Sequence, residues 1–141
     1  MYTGDFKDGK KTGSGIFIHK DSKYEGEFVD GQFHGVGKYY NSKTKRTFEG
    51  TFQNNNFLKG RMLLEDGSYY EGQYKRDMRH GEGTIYYPNG NAYVGLFDQD
   101  QKHGAGCLWD LQNVAKVREE WVRGTRKSFV IARSTVEELT E

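Results

Sequence analysis

Five segments of the chain open alike: YTGDFKDG from Tyr2, YEGEFVDG from Tyr24, FEGTFQNN from Phe48, YEGQYKRD from Tyr70 and YVGLFDQD from Tyr93. Their starts are separated by 22, 24, 22 and 23 residues. Each runs aromatic, any, Gly, any, aromatic. The eighth position holds Gly9, Gly31, Asn55, Asp77 or Asp100, residue types that tolerate a left-handed backbone. A chain that restates itself at this interval is assembled from one supersecondary unit, and neighbouring units must stack to bury a core.

A second block follows each opening: TGSGIF, HGVGKYY, LKGRML, HGEGTIYY and HGAGCLW. Further turn signals come seven residues past its second glycine, among them Asp66-Gly67 and Asn89-Gly90, which favour tight hairpins. The third repeat is one residue short before Gly60 and lacks the His-Gly pair, which predicts a different local geometry there. The periodicity is two, so Tyr70, Gly72 and Tyr74 share one face and Glu71, Gln73 and Lys75 the other. Each repeat therefore reads as a β-hairpin. Glycine in a strand is costly unless large rings lie across it, so the rings are expected to pack over the glycines of neighbouring repeats.

Composition fits an aromatic rather than an aliphatic core. Apolar residues are 34% and mean hydropathy is −0.93, values that lean toward disorder, yet aromatics are 15%. A net charge of +1 gives no general drive toward nucleic acid. The single cysteine, Cys107, forms no internal disulfide and fits a reducing compartment. There is no apolar run of about 20 residues and no N-terminal signal segment, so an intracellular, soluble protein is expected.

At these residues the chain resembles the MORN (membrane occupation and recognition nexus) repeat family, whose pattern is YEGEF-x-x-G-x-x-HG-x-G-x-x-x-Y-x-x-DG. The resemblance covers Tyr2 to about Lys116. It implies an all-β, elongated, single-layer antiparallel sheet of stacked hairpins. It also implies a scaffold rather than an enzyme, with cytoskeletal or axonemal assemblies as a frequent setting and phospholipid as a reported ligand class. Two alternatives stay open: a peripheral membrane module, or the targeting domain of a larger enzyme.

The repeats divide residues 1–116 at about 2–23, 24–47, 48–69, 70–92 and 93–116. Residues 117–133 read as a degenerate sixth hairpin, with Val117 at the first position, Trp121 at the fifth and Gly124 at the eighth. The competing reading of the same region is an amphipathic helix capped by Asp110. Residues 134–141 read as a tail or short capping helix, with Ser134 and Glu137 in a capping-box pattern.

No residue set reads as catalytic or metal-binding, and no cofactor is implied. His34, His80 and His103 repeat one slot, whereas metal ligands must converge on a point. They read as structural residues of a turn. Cys107 has no His–Asp partner pattern around it. Glu25, Glu49 and Glu71 recur on the polar face and suit ladders with lysines. The GxG elements are not followed by a helix pattern, so a phosphate loop is excluded.

Three surfaces are candidates for contact. A groove lined by the first-strand rings Tyr2, Phe6, Tyr24, Phe28, Phe48, Phe52, Tyr70, Tyr74, Tyr93 and Phe97 suits a partner segment. The opposite face carries Ile16, Ile18, Val36, Tyr40, Leu63, Tyr86, Cys107 and Trp109, more apolar surface than a sheet requires. Basic turns at Lys43, Lys45, Arg46, Lys75, Arg76 and Arg79 are candidates for acidic lipid. The first strand offers an edge through which copies of the chain can pair.

Overall fold

The computed structural model describes residues 1–133. They form twelve strands and no helix, in two compact units that divide after Glu65. The capping helix considered for residues 134–141 lies outside the described residues.

The first unit holds β1 (Tyr2–Lys7), β2 (Lys10–His19), β3 (Ser22–Val29), β4 (Gln32–Asn41), β5 (Arg46–Gln53) and β6 (Asn56–Leu63). The second holds β7 (Tyr69–Lys75), β8 (Met78–Tyr86), β9 (Ala92–Asp98), β10 (Gln101–Asp110), β11 (Ala115–Val122) and β12 (Thr125–Arg133). Within each unit every strand pairs antiparallel with the next, giving a single-layer meander.

The register places the glycines in rows. Gly4, Gly15, Gly26, Gly37, Gly50 and Gly60 are successive cross-strand partners in the first unit. Gly72, Gly83, Gly95 and Gly106 continue the same arrangement in the second, until Glu119 takes the place on β11. The first-position tyrosine fills the space beside each glycine pair. Tyr24 lies against Gly26 and Gly37, Tyr70 against Gly72 and Gly83, and Tyr93 against Gly95 and Gly106. The expectation that rings cross the glycines of neighbouring repeats is corrected: each tyrosine covers the glycine pair of its own hairpin. The period-two strand places the i+2 glycine beneath the ring, and the hairpin register brings the second glycine alongside.

The eighth-position residues occupy the tips of two-residue turns with positive φ at both central positions. Asp30 and Gly31 have φ of 51° and 80°, and Gln99 and Asp100 have 48° and 69°. These suit the right-handed twist of the flanking strands. Four tips also dock on the preceding repeat. The backbone N–H of Gly31 donates to Lys11 O at 3.0 Å, Asn55 to Phe33 O at 3.1 Å, Asp100 to Arg79 O at 3.0 Å and Gly124 to Lys102 O at 2.9 Å.

The His-Gly pair is a bulge inside the return strand rather than a turn. In β7–β8, Gly72 pairs Gly83 and Tyr74 pairs Arg79, so Gln73 alone faces His80, Gly81 and Glu82. Gly81 has φ +65°, and the same site in the second repeat, Gly35, has φ +73°. These are the positions where the backbone itself calls for glycine. In the third repeat the bulge shrinks to one extra residue between the pairs Thr51–Lys59 and Phe52–Phe57. The missing residue before Gly60 accounts for this.

Residues 115–133 form a hairpin in which Glu119 pairs Phe129. Asp110 does not cap a helix. Its carboxylate accepts from the backbone N–H and side-chain amide of Asn113 at 3.1 and 2.8 Å, closing the preceding turn.

Candidate partner-binding surfaces

One face of each unit is filled by its own rings. Tyr24 stacks on Phe33 with centroids 3.8 Å apart and meets Phe28 and Phe52 edge-on at 5.1 and 5.2 Å. Tyr70 meets Tyr74 and Phe97 edge-on, both at 5.1 Å. The hydroxyls of Tyr2, Tyr24 and Tyr70 donate to the carbonyls of Asp5, Glu27 and Gln73, each at 2.8 Å. Burial pushes the phenols of Tyr24 and Tyr70 up to about 12, since a phenolate in that setting loses its hydration. Tyr93 is raised further in the same way, and its buried hydroxyl has no hydrogen-bond partner among the described residues.

This packing corrects the open groove expected from the ten first-strand rings. Tyr24, Phe28, Phe48, Phe52, Tyr70, Tyr93 and Phe97 are buried, so their rings are the core of the fold rather than a surface for a partner. Tyr2 and Tyr74 are half-buried, and Phe6 alone among them is largely exposed, at 63%. Phe6 still meets Tyr2 edge-on at 5.0 Å.

The tenth position of the repeat covers the rings, and its residue type varies from repeat to repeat; in the first, Lys11 Nζ lies 4.8 Å from the centre of the Phe17 ring. Phe33 serves in the second repeat. In the fourth, the Arg79 guanidinium lies 5.4 Å from the centre of the Phe97 ring. In the fifth, Lys102 Nζ lies 4.2 Å from the Tyr93 ring and 4.5 Å from Trp121, and donates to Tyr87 Oη at 3.1 Å. In these three repeats a cation–π contact stands where Phe33 stacks in the second. Sequence reasoning missed these roles because a lone lysine or arginine in a repeat reads as a solvated residue.

The opposite faces differ between the units. In the first, Glu25, Lys38, Glu49 and Arg61 are successive cross-strand partners, and Lys38 Nζ lies 3.3 Å from Glu49 Oε1. This row of alternating charge runs between the candidate apolar residues. Val36 is 67% exposed and Ile18 and Tyr40 are partly so, but Tyr40 pairs with Lys23 and Thr47, and Ile16 with Glu25. Leu63 pairs with Thr47. No continuous apolar surface results.

In the second unit the same row reads Glu71, Thr84, Val94, Cys107, Arg118 and Val130. Beside it run Tyr69, Tyr86, Ala92 and Trp109. Tyr69 and Tyr86 stack at 4.8 Å, and Lys116 Nζ sits 4.7 Å above Trp109. Val94 is 47% exposed, Leu96 41% and Val130 66%. A shallow hollow of about 390 Å³ is lined by Ala105, Cys107, Arg118, Glu120, Ser128 and Val130, among others. Thus Tyr86, Cys107 and Trp109 from the sequence reading are brought together, and Val94 and Leu96 join them. Their signal was present: the fifth repeat opens YVGLF where the second opens YEGEF.

The basic turns do not form one site. Lys43 Nζ lies 3.3 Å from Asp21, and Lys45 occupies a turn position with φ +58°. Arg46 Nη1 approaches Met62 Sδ at 3.8 Å. Arg79 is bound by Asp100, with Nε donating to Oδ1 at 2.9 Å and Nη2 to the backbone O at 2.6 Å. A guanidinium held this way serves the fold. Lys75 and Arg76 border a hollow of about 310 Å³ with Met78, His80 and Asp98.

The histidines also have structural placements. His103 Nδ1 accepts from Arg123 N at 3.1 Å, and His80 Nδ1 lies 3.7 Å from Asp98 Oδ1. Among the described residues no cluster of three metal-ligating side chains occurs, and no helix is long and apolar enough to cross a membrane.

A family model, the MORN repeat, matches residues 2–22, 24–44, 70–92 and 93–110. The four spans are the repeats whose return strand carries the wide bulge described above. Repeats of this kind are non-enzymatic modules that engage proteins or membranes. With more than half of its residues matched and each unit a meander of such hairpins, the chain belongs to the MORN repeat family.

Proposed function

We propose that this protein is a non-enzymatic protein–protein interaction scaffold, a subunit of a larger cytoskeletal or axonemal assembly, that receives its partner on the outer face of the second unit. The supporting observation is the loss of charge along one cross-strand row. Thr3, Ile16, Glu25, Lys38, Glu49 and Arg61 on the first unit correspond to Glu71, Thr84, Val94, Cys107, Arg118 and Val130 on the second, so four charged residues give way to two. The core is already filled by rings on the other face, so these apolar residues are not needed there. Apolar surface left in water is costly, at about 25 cal/mol per Å², and a partner that covers it recovers that free energy.

The test is crosslinking with affinity capture from a native source, comparing wild type with a Val94→Glu, Leu96→Glu variant. Crosslinks at β8–β10 that vanish in a variant of unchanged circular dichroism support the reading. Crosslinks unaffected by the variant, or co-sedimentation with acidic vesicles in place of any protein capture, overturn it.

A further inference from the structure

The strand β12 joins an uncovered edge to a concentration of charge. Every residue of Thr125–Arg133 is exposed, and its outer side pairs with no described strand. An antiparallel edge of this kind presents alternate N–H and C=O groups to solvent. Its centre is apolar on both faces. Phe129 and Ile131 point with Glu119 and Val117, at 50% and 51% exposure, and Val130 points with Arg118. The hairpin from Val114 to Arg133 carries six cations, Lys116, Arg118, Arg123, Arg126, Lys127 and Arg133, against Glu119 and Glu120. Glu119 is buried and held by Arg126 Nη1 at 3.0 Å and Trp121 Nε1 at 3.1 Å, so it does not offset the others at the surface.

We infer that β12 is a strand-addition site for an extended segment of a protein partner, with an apolar, β-branched centre and a carboxylate at each end. The apolar centre fits Phe129, Val130 and Ile131, and the two carboxylates fit Lys127 and Arg133 at the ends of that stretch. A second copy of this chain is disfavoured in the register centred on Val130. Two-fold antiparallel pairing of β12 about Val130 sets Lys127 opposite Arg133 twice, and like charges directly opposite are destabilising. The site goes beyond the outer-face reading, because main-chain hydrogen bonds along the edge supply the contact and either face can remain free.

The probe is a fluorescein-labelled peptide, Glu-Val-Thr-Val-Thr-Val-Glu, titrated with the full chain by fluorescence anisotropy. Saturable binding is expected, weakened at least ten-fold by Lys127→Glu with Arg133→Glu, and absent for a peptide with lysine at both ends. N-methylation of one alternating set of peptide amides should abolish binding, while the other set is tolerated, a pattern that face docking does not produce. Val94→Glu should leave this binding unchanged, so failure of the outer-face reading is separable from failure here. No binding to the wild type, equal binding of both N-methylated peptides, or a concentration-dependent dimer of the chain each overturns the inference. So does association with phosphatidylserine vesicles in place of the peptide. Binding that appears only after Glu137, Glu138 and Glu141 are changed to Gln also overturns it, because the occupant is then the chain's own terminus.

Discussion

The side-chain carbonyl of Gln73 accepts a hydrogen bond from the backbone N–H of Glu82 at 2.9 Å, across the bulge that interrupts β8. Glu27 does the same for Val36 at 2.7 Å in the second repeat. The fourth position of the repeat is therefore a clamp on the bulge. In the fifth repeat that position is Leu96, which has no acceptor to offer. Gln73→Leu should destabilise the protein by about 1–2 kcal/mol, and Leu96→Gln should stabilise it by about 0.5–1.5 kcal/mol. Urea unfolding midpoints at constant slope check both signs.

Gly83 has no room for a methyl group, because the ring of Tyr70 occupies the position a Cβ would take. Gly83→Ala should cost about 1–3 kcal/mol through overpacking. In a Tyr70→Ala background the same change should cost much less. A double-mutant cycle by thermal or chemical denaturation measures the coupling. Additive effects would mean that the ring is not what excludes the side chain.

Arg79 and Asp100 bind the fifth repeat to the fourth. Their side chains are 14% and 22% exposed, so removing the Asp100 carboxylate takes the charged partner from a largely buried Arg79 guanidinium. Asp100→Ala should cost about 2–4 kcal/mol, and Asp100→Asn, which keeps an acceptor, clearly less. Hydrogen exchange of β8 and β9 amides should quicken in the alanine variant before that of the first unit.

Alkaline pH should unfold the protein through its tyrosines. Tyr24 and Tyr70 ionise near 12 in the folded state, against about 10 in an unfolded chain, and Tyr93 is shifted the same way. The unfolded state therefore releases protons first. Stability from this source is complete below pH 10 and is lost as pH rises from 10 toward 12, by about 1.4 kcal/mol per pH unit for each such group. Absorbance at 295 nm should show the exposed tyrosines titrating normally and a second, cooperative step coincident with loss of circular dichroism. A single smooth titration before unfolding would refute the shifts.

The repeat signature was enough to specify hairpins, their number through Tyr93 and the left-handed turn residues, because each depends on local spacing and backbone preference. Gly9, Gly31, Asn55, Asp77 and Asp100 all have positive φ. Local pattern also distinguishes the third repeat, where one missing residue makes a narrower bulge. The destination of the rings was not legible. Period two states that Tyr70 and Tyr74 share a face, but whether that face is open or filled depends on cross-strand register. It also depends on residues in the next repeat, such as Phe97 against Tyr70.

The sequence by itself determined an all-β chain of antiparallel hairpins, the glycine positions and the turn chemistry, since these are set by stereochemistry within one repeat. Tertiary structure alone decided that seven of the ten first-strand rings are core, that Arg79 is held by Asp100, and that Val94, Cys107, Arg118 and Val130 line up as successive cross-strand partners. The physical reason is that burial and pairing belong to the register between strands. Register is fixed only when bulges, turn tips and rings of successive repeats are satisfied together.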